Sequence, residues 1–256
     1  MSNPLIVAHR GASQLAPENS LKAFEYAIQK GADTIEFDVH LSKDNQIIIH
    51  HDYYLGRTEF GSGFIGDYSF SELQNLDIGV KFDEKFSGTN LPNFRDVLSL
   101  AKGNTRLEIE LRYPKITFLE LIIDEIAQLG LIDKVEITSP HIPLLAHVKT
   151  INSEIRTGVF FSIFPSWMEK DLGQQHILDW LVLLNAQVAH LPFELLNERF
   201  IDLLHNQNFI VHGSNLNKES EIETAFKFQI DQFSTDVLET ATRIRDTITQ
   251  ANKACT

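Results

Sequence analysis

Ile6-Val7-Ala8-His9-Arg10-Gly11-Ala12 opens the chain with a short apolar strand that ends in an imidazole, a guanidinium and a glycine. The pattern returns in Thr34-Ile35-Glu36-Phe37-Asp38-Val39-His40 and in Gln46-Ile47-Ile48-Ile49-His50-His51-Asp52. Each apolar run is far shorter than the ~18 residues of a membrane span, and each delivers ionisable side chains to or near the C-terminal end of a strand. Acid, base and cation carried repeatedly to one end of a set of strands point to an active site there.

Outward from these strands, strand-like and helix-like patterns alternate along the whole chain, which predicts a parallel sheet with crossover helices. Leu5–Ala8 leads into a helix over about residues 20–30, begun by the cap-forming Pro17-Glu18-Asn19-Ser20 and stopped at Gly31. The strands at 35–39 and 47–49 flank the turn Lys43-Asp44-Asn45. They lie too close for a crossover helix, so they read as one barrel strand extended into a hairpin arm. Residues 53–90 hold Gly56, Gly61, Gly63, Gly66, Gly79 and Gly88 among scattered aromatics and read as an irregular insertion inside a single domain spanning 1–256. Insertions of this kind commonly serve as lids or specificity loops. Helices are then expected at 94–101, 118–129, 142–150, 174–183, 197–206, 218–228 and 239–251. Strands between them are expected at 106–111, 134–138, 157–162, 187–191, 209–212 and 231–234. The result is about eight strand–helix units, the count of an α/β fold of the (β/α)8 TIM-barrel type.

The composition, 43% hydrophobic and 22% charged over 256 residues, supports a substantial core and argues against disorder. Lys+Arg is 22 and Asp+Glu 35, so the net charge is 22 − 35 = −13. That balance repels nucleic acid and anionic membranes, and neither a nucleic-acid partner nor stable membrane insertion is expected. An anionic small-molecule substrate then needs local positive charge or a bound metal. The single cysteine, Cys255, rules out an intramolecular disulfide. With no basic, apolar leader and no run of ~18 apolar residues, a soluble, cytoplasmic protein is expected.

Alternate residues of a strand share a face, so Glu36 and Asp38 point the same way, as do Glu108 and Glu110 in Leu107-Glu108-Ile109-Glu110-Leu111-Arg112. Neighbouring buried carboxylates repel unless a proton or cation intervenes. Oxygen-only donors without cysteine suit a hard ion, Mg²⁺ or Ca²⁺. Spacing alone leaves open the alternative that these are solvated strand ends or partners of Arg10 and Arg112. Of the ten histidines, His141, His147, His176 and His205 fall on helices or loops and read as surface or satisfied core residues, and His40 and His50 read as turned away from their motif neighbours. His9 and His51 each end a β run beside Arg10 or Asp52 and could act as general acid and base, each worth ~10²–10⁴ in rate. Arg10 and Arg112 offer bidentate phosphate binding inside an acidic molecule. Together these groups suit phosphoryl transfer to water or to an internal hydroxyl.

His9-Arg10-Gly11, Pro17-Glu18-Asn19-Ser20, Gly31-Ala32-Asp33, Ile35-Glu36-Phe37-Asp38-Val39 and His51-Asp52 resemble the opening motifs of the glycerophosphodiester phosphodiesterase family. Arg57-Thr58, Gly61-Ser62-Gly63, Leu91-Pro92, Glu108-Ile109-Glu110-Leu111-Arg112 and Ser234-Thr235-Asp236 follow in the order that family has them. The resemblance implies a (β/α)8 barrel with a small insertion after the second strand and one divalent cation, Mg²⁺ or Ca²⁺, held by Glu36, Asp38 and Glu110. It implies His9 and His51 as the acid–base pair and Arg10 and Arg112 on the phosphate. The implied reaction is hydrolysis of a glycerophosphodiester to sn-glycerol 3-phosphate and an alcohol, by attack of water or of the glycerol 2-hydroxyl. The alternatives are the same fold acting on lysophospholipids or another phosphodiester, through an apolar mouth lined by Phe60, Phe64, Phe70, Phe160, Phe161, Phe164 or Trp167, and a non-catalytic binding barrel. Three positions depart from the family pattern. Arg112 stands where Lys is usual, Ser139-Pro140 replaces Ser-Phe, and His212-Gly213-Ser214-Asn215 replaces Trp-Thr-Val-Asn. His212 is therefore expected in the substrate-binding wall.

Overall fold

A computed structural model describes residues 3–101 and 103–254; Cys255 lies outside them. The strands are β1 (Leu5–Ala8), β2 (Thr34–Leu41), β3 (Ile47–Ile49), β4 (Arg106–Leu111), β5 (Val135–Thr138), β6 (Arg156–Phe160), β7 (Val188–Leu191), β8 (Ile210–Gly213) and β9 (Gln232–Thr235). They run in the order β1-β9-β8-β7-β6-β5-β4-β2, and a parallel β1–β2 pairing closes the circle. The fold is therefore a closed eight-stranded parallel barrel, and β3 lies outside it, antiparallel to β2 with Val39 opposite Ile49.

Helices α1 (Leu21–Gln29), α2 (Phe70–Gln74), α3 (Phe94–Leu98), α4 (Ile116–Gln128), α5 (Ile142–Ile151), α6 (Lys170–Leu183), α7 (Glu198–Asn206), α8 (Glu219–Phe228) and α9 (Leu238–Ala254) follow the expected alternation. α1 begins where the Ser20 hydroxyl accepts from the Ala23 N–H, 3.1 Å away, which satisfies one of the orphan donors of the first turn. α6 starts earlier than its hydrophobic pattern suggested. It runs through Gly173, where the ring of Phe164 occupies the space a Cβ would need.

All eight residues of β2 are buried, yet its two faces differ in chemistry. Ile35, Phe37, Val39 and Leu41 point outward into the layer between sheet and helices, where Phe37 meets Phe24 at 5.7 Å and Phe94 at 6.3 Å between ring centroids. Burial of each such side chain stabilises by roughly 1.5–3 kcal/mol. Thr34, Glu36, Asp38 and His40 therefore face the barrel axis. Neighbouring strands keep this register, pairing Glu36 with Glu108, Asp38 with Glu110, Glu108 with Glu136, and His190 with His212. The apolar core thus lies outside the barrel, and the barrel interior is lined with ionisable groups.

Residues 53–90, expected to be irregular, include α2 and two short 3₁₀ turns at Ile65–Asp67 and Glu84–Phe86. They also share a small apolar cluster of Ile48, Leu55, Ile65, Leu73, Ile78 and Leu91, separate from the main core. Glycines in this stretch supply turns, and the apolar residues between them supply the packing.

Candidate active site

The turn after β1 sets the geometry. Arg10 and Gly11 both take left-handed backbone conformations, at φ 55° and 80°. At Gly11 a Cβ would strike the backbone and side chain of Ala23, so only glycine lets this turn lie against α1. The turn aims the Arg10 N–H at Glu36 Oε2, 2.7 Å away, and brings its guanidinium 3.4 Å from Asp38 Oδ2 and 3.0 Å from Glu18 Oε1. Asn19, also left-handed and buried, donates from Nδ2 to Asp38 Oδ2 at 2.9 Å and accepts from the Asp38 N–H at 3.3 Å. Asp38 is fixed from two sides before any ligand arrives.

Glu36, Asp38 and Glu110 each offer an oxygen within 4.8 Å of the other two. Burial first, and then the Asp38 charge, pushes the Glu36 carboxyl up to about 8 and raises Glu110 as well. Glu36 Oε1 is buried with no hydrogen-bond partner. Three converging carboxylates that destabilise one another, one with an orphaned oxygen, fit a hard divalent cation by donor chemistry. Arg112 pairs with Glu110 at 2.5 Å, with its guanidinium carbon 5.5 Å from the centroid of the Tyr53 ring.

His9 and His51 flank this triad, the charge of His9 acting on Glu36 and that of His51 on Glu110. Each has its Nδ1 against a carboxylate, His9 on Asp236 at 2.7 Å and His51 on Asp52 at 2.6 Å. Among the described residues neither Nε2 has a hydrogen-bond partner. Nδ1–H donation to a carboxylate fixes the tautomer and turns the other nitrogen toward the reaction. Burial alone would lower His9, but the Asp236 hydrogen bond and the Glu36 charge outweigh it and raise His9 to about 8.

Some positions differ from the sequence reading. His212 is not at the mouth: it is fully buried on β8, stacked on His190 with ring centroids 3.9 Å apart, because its inward face lies in the layer beneath the triad. His40, read as turned away, shares the face of Glu36 and Asp38 and donates from Nε2 to the His51 carbonyl at 3.1 Å. Burial lowers it to about 4 and so keeps it neutral. His141, read as a surface or satisfied core residue, is a satisfied one, 2.8 Å from the Tyr53 hydroxyl and 3.1 Å from the Arg112 carbonyl. Arg57 joins the mouth by bridging Asp52 and Glu18 at 2.5 and 2.6 Å. Ser139 accepts the His141 N–H and donates to the Leu111 carbonyl, tying the ends of β4 and β5.

Fold and site together define a (β/α)8-barrel protein with a cluster of three converging carboxylates and two carboxylate-anchored imidazoles at the C-terminal ends of its strands. The glycerophosphoryl diester phosphodiesterase family profile matches residues 9–240, and the chain belongs to that family. A glycerophosphodiester phosphodiesterase of Caldanaerobacter subterraneus is 36% identical over 163 residues, covering 61% of this chain and 66% of the relative. One from Bacillus altitudinis is 29% identical over 250 residues, covering 94% of this chain and 98% of the relative. The chain spans about half to two thirds of the length of two of the curated relatives it matches. An Oleispira antarctica phosphodiesterase, solved in complex with the product sn-glycerol-3-phosphate, superimposes with a TM-score of 0.83 at 24% identity, covering 95% of this chain and 97% of that one. At that identity the likeness establishes the fold. Among the described residues, no helix is long and apolar enough to cross a membrane.

Proposed function

We propose that this chain hydrolyses glycerophosphodiesters to sn-glycerol 3-phosphate and an alcohol, with Glu36, Asp38 and Glu110 holding one divalent cation, Mg²⁺ or Ca²⁺. The observation that carries this reading is the carboxylate triad with its unpartnered Glu36 Oε1. When bound, the cation supplies neutralisation of the three carboxylates and of the phosphoryl oxygens. Arg10 and Arg112 orient the phosphate with planar guanidinium forks, which local geometry holds in place despite the net negative charge of the chain. One imidazole takes the proton of the attacking hydroxyl and the other gives a proton to the departing alkoxide as the phosphorus–oxygen bond to the alcohol breaks. Asp236 and Asp52 each hold one imidazole by its Nδ1, so His9 and His51 both present Nε2 for these proton transfers.

A second reading, the same chemistry on lysophospholipids, draws on an apolar groove of about 370 Å³ beyond the end of β6, lined in part by Phe160, Phe161, Ile163, Phe164, Met168 and Trp180. Of the other apolar mouth candidates, Phe60 and Trp167 are exposed. An assay for release of the head-group alcohol across water-soluble glycerophosphodiesters and lysophospholipids separates the two, the phosphate-bearing product being glycerol 3-phosphate from the first class and its acylated form from the second. Turnover of the small diesters is expected. Turnover of lysophospholipids alone transfers the assignment to the second reading, and release from neither class contradicts both.

A further inference from the structure

One layer beneath the mouth, Glu108 on β4, Glu136 on β5, His190 on β7 and His212 on β8 turn inward to a common point. One donor atom from each lies within 4.8 Å of all the others, and all four residues are 5% exposed or less. His190 Nε2 meets Glu136 Oε1 at 2.7 Å, while its Nδ1 stops 3.9 Å from Glu108 Oε1. His212 Nδ1 lies 3.6 Å from Glu108 Oε2, too far for a hydrogen bond. Glu108 Oε2, His190 Nδ1 and His212 Nε2 are buried atoms without any hydrogen-bond partner. An orphaned buried polar atom costs about 1–3 kcal/mol, so three converging in one cluster need a reason.

Compensation by a basic side chain is absent: among the described residues no Lys or Arg nitrogen lies within 4.0 Å of the Glu108 or Glu136 carboxylates. Space for the cluster is built in at Gly158 on β6, where a Cβ would collide with His190 Nε2 and Glu136 Oε1. Gln232 Nε2 donates to Glu136 Oε2 at 3.0 Å and to His212 Nδ1 at 3.1 Å, fixing the orientation of two of the four groups.

We propose that Glu108, Glu136, His190 and His212 form a second metal site, for a four-coordinate transition ion of the Zn²⁺ class, in the stem of the barrel. Two imidazoles with two carboxylates are borderline donors that favour such an ion over Mg²⁺ or Ca²⁺, in contrast with the all-oxygen triad above. Tetrahedral Zn²⁺ with bonds of about 2.0–2.2 Å would set the donors about 3.3 Å from one another, closing the 3.9 and 3.6 Å gaps to Glu108 and opening the 2.7 Å His190–Glu136 contact, shifts that side-chain rotation can supply. The ion neutralises both carboxylates and ties together β4, β5, β7 and β8, half the strands of the barrel. It has no part in the proposed reaction, because the cluster is closed to solvent.

The test uses tag-free full-length protein and reads metal, not turnover. Wild type and Asp38→Asn, which removes a mouth ligand, are loaded with Zn²⁺ or Co²⁺ and passed over a chelating resin. Expected is ~1 equivalent of tightly held metal per chain in Asp38→Asn, with the visible d–d absorption of four-coordinate Co²⁺. His190→Gln and His212→Gln should each weaken that binding ~10-fold or more, and Glu108→Gln serves as a near-isosteric variant if a histidine change prevents folding. A wild-type protein that retains no metal and shows no Co²⁺ bands overturns the proposal and leaves a cluster held by shared protons. Metal lost in Asp38→Asn, or kept undiminished in the folded Glu108 and histidine variants, places the ion elsewhere and overturns it equally.

Discussion

The mouth and the stem of the barrel each gather buried carboxylates, but they manage the charge differently. At the mouth, Glu36, Asp38 and Glu110 share their space with Arg10 and Arg112, and the partly exposed His9 and His51 are anchored on Asp236 and Asp52. In the stem, among the described residues, the hydrogen-bond and ion-pair partners of the Glu108 and Glu136 side chains are His190, His212 and Gln232. Burial and then the Glu136 charge raise Glu108 well above the usual carboxylate range, while burial and then His190 drive His212 well below the usual imidazole range. Both therefore lean toward their neutral forms. Guanidiniums beside carboxylates prepare a site for an anionic substrate, whereas carboxyl and imidazole groups sealed from water suit a permanent structural role.

The largest effect separating the two regions should come from the imidazoles. His9→Ala or His51→Ala is expected to lower kcat by ~10²–10⁴ with the far-UV circular dichroism unchanged; wild-type rates in either variant would remove that residue from acid–base chemistry. Next is Gly158→Ala, which pushes a methyl group into the His190–Glu136 pair and should destabilise the fold by ~1–3 kcal/mol in urea titrations. An unchanged midpoint would mean the stem has slack, and the contrast with the pre-fixed mouth would weaken.

The smallest effect concerns a third buried pair, His50–Glu59, which joins the insertion to the barrel at 3.2 Å. Burial opposes ionisation of both. Hydrogen bonds to Glu59 nonetheless hold it down to about 2 from 4.5, and Glu59 raises His50 above 6.5. Glu59 thus adds stability that is present above pH 4.5 and lost as pH falls toward 2. His50 adds stability that is present below pH 6.5 and lost as pH rises through its raised value. The Tm advantage of wild type over Glu59→Gln should therefore be greatest, by a few degrees, between about pH 4.5 and 6.5. A pH-independent difference would show that the pair is not ionised.

Much of the mouth was legible in the sequence because its residues sit in dense runs. Glu36 and Asp38 share one strand, and His9-Arg10 and His51-Asp52 follow adjacent ones. Asn19 was harder: its neighbours read as a helix cap, and only the left-handed backbone at φ 58° turns its amide onto Asp38. Asp236 was visible in Ser234-Thr235-Asp236, but its partner His9 lies 227 residues away and meets it only when β1 pairs with β9. The stem was illegible for the same reason. Glu136, His190 and His212 each stand alone in a short strand, and barrel closure alone brings them together with Glu108. The available signal was a lone ionisable residue at matching register in several buried strands. His212 was noticed, but its depth along β8 was not.

The most direct test of the central claim is the rate of glycerol 3-phosphate release from a glycerophosphodiester, measured in chelator and again after adding back Mg²⁺ or Ca²⁺. Turnover should vanish in chelator and return with the hard ion, and Asp38→Asn should not recover at the same metal concentration. Full activity in chelator, or undiminished activity in Asp38→Asn, would contradict the assignment of Glu36, Asp38 and Glu110 as the cation site on which the proposed hydrolysis depends.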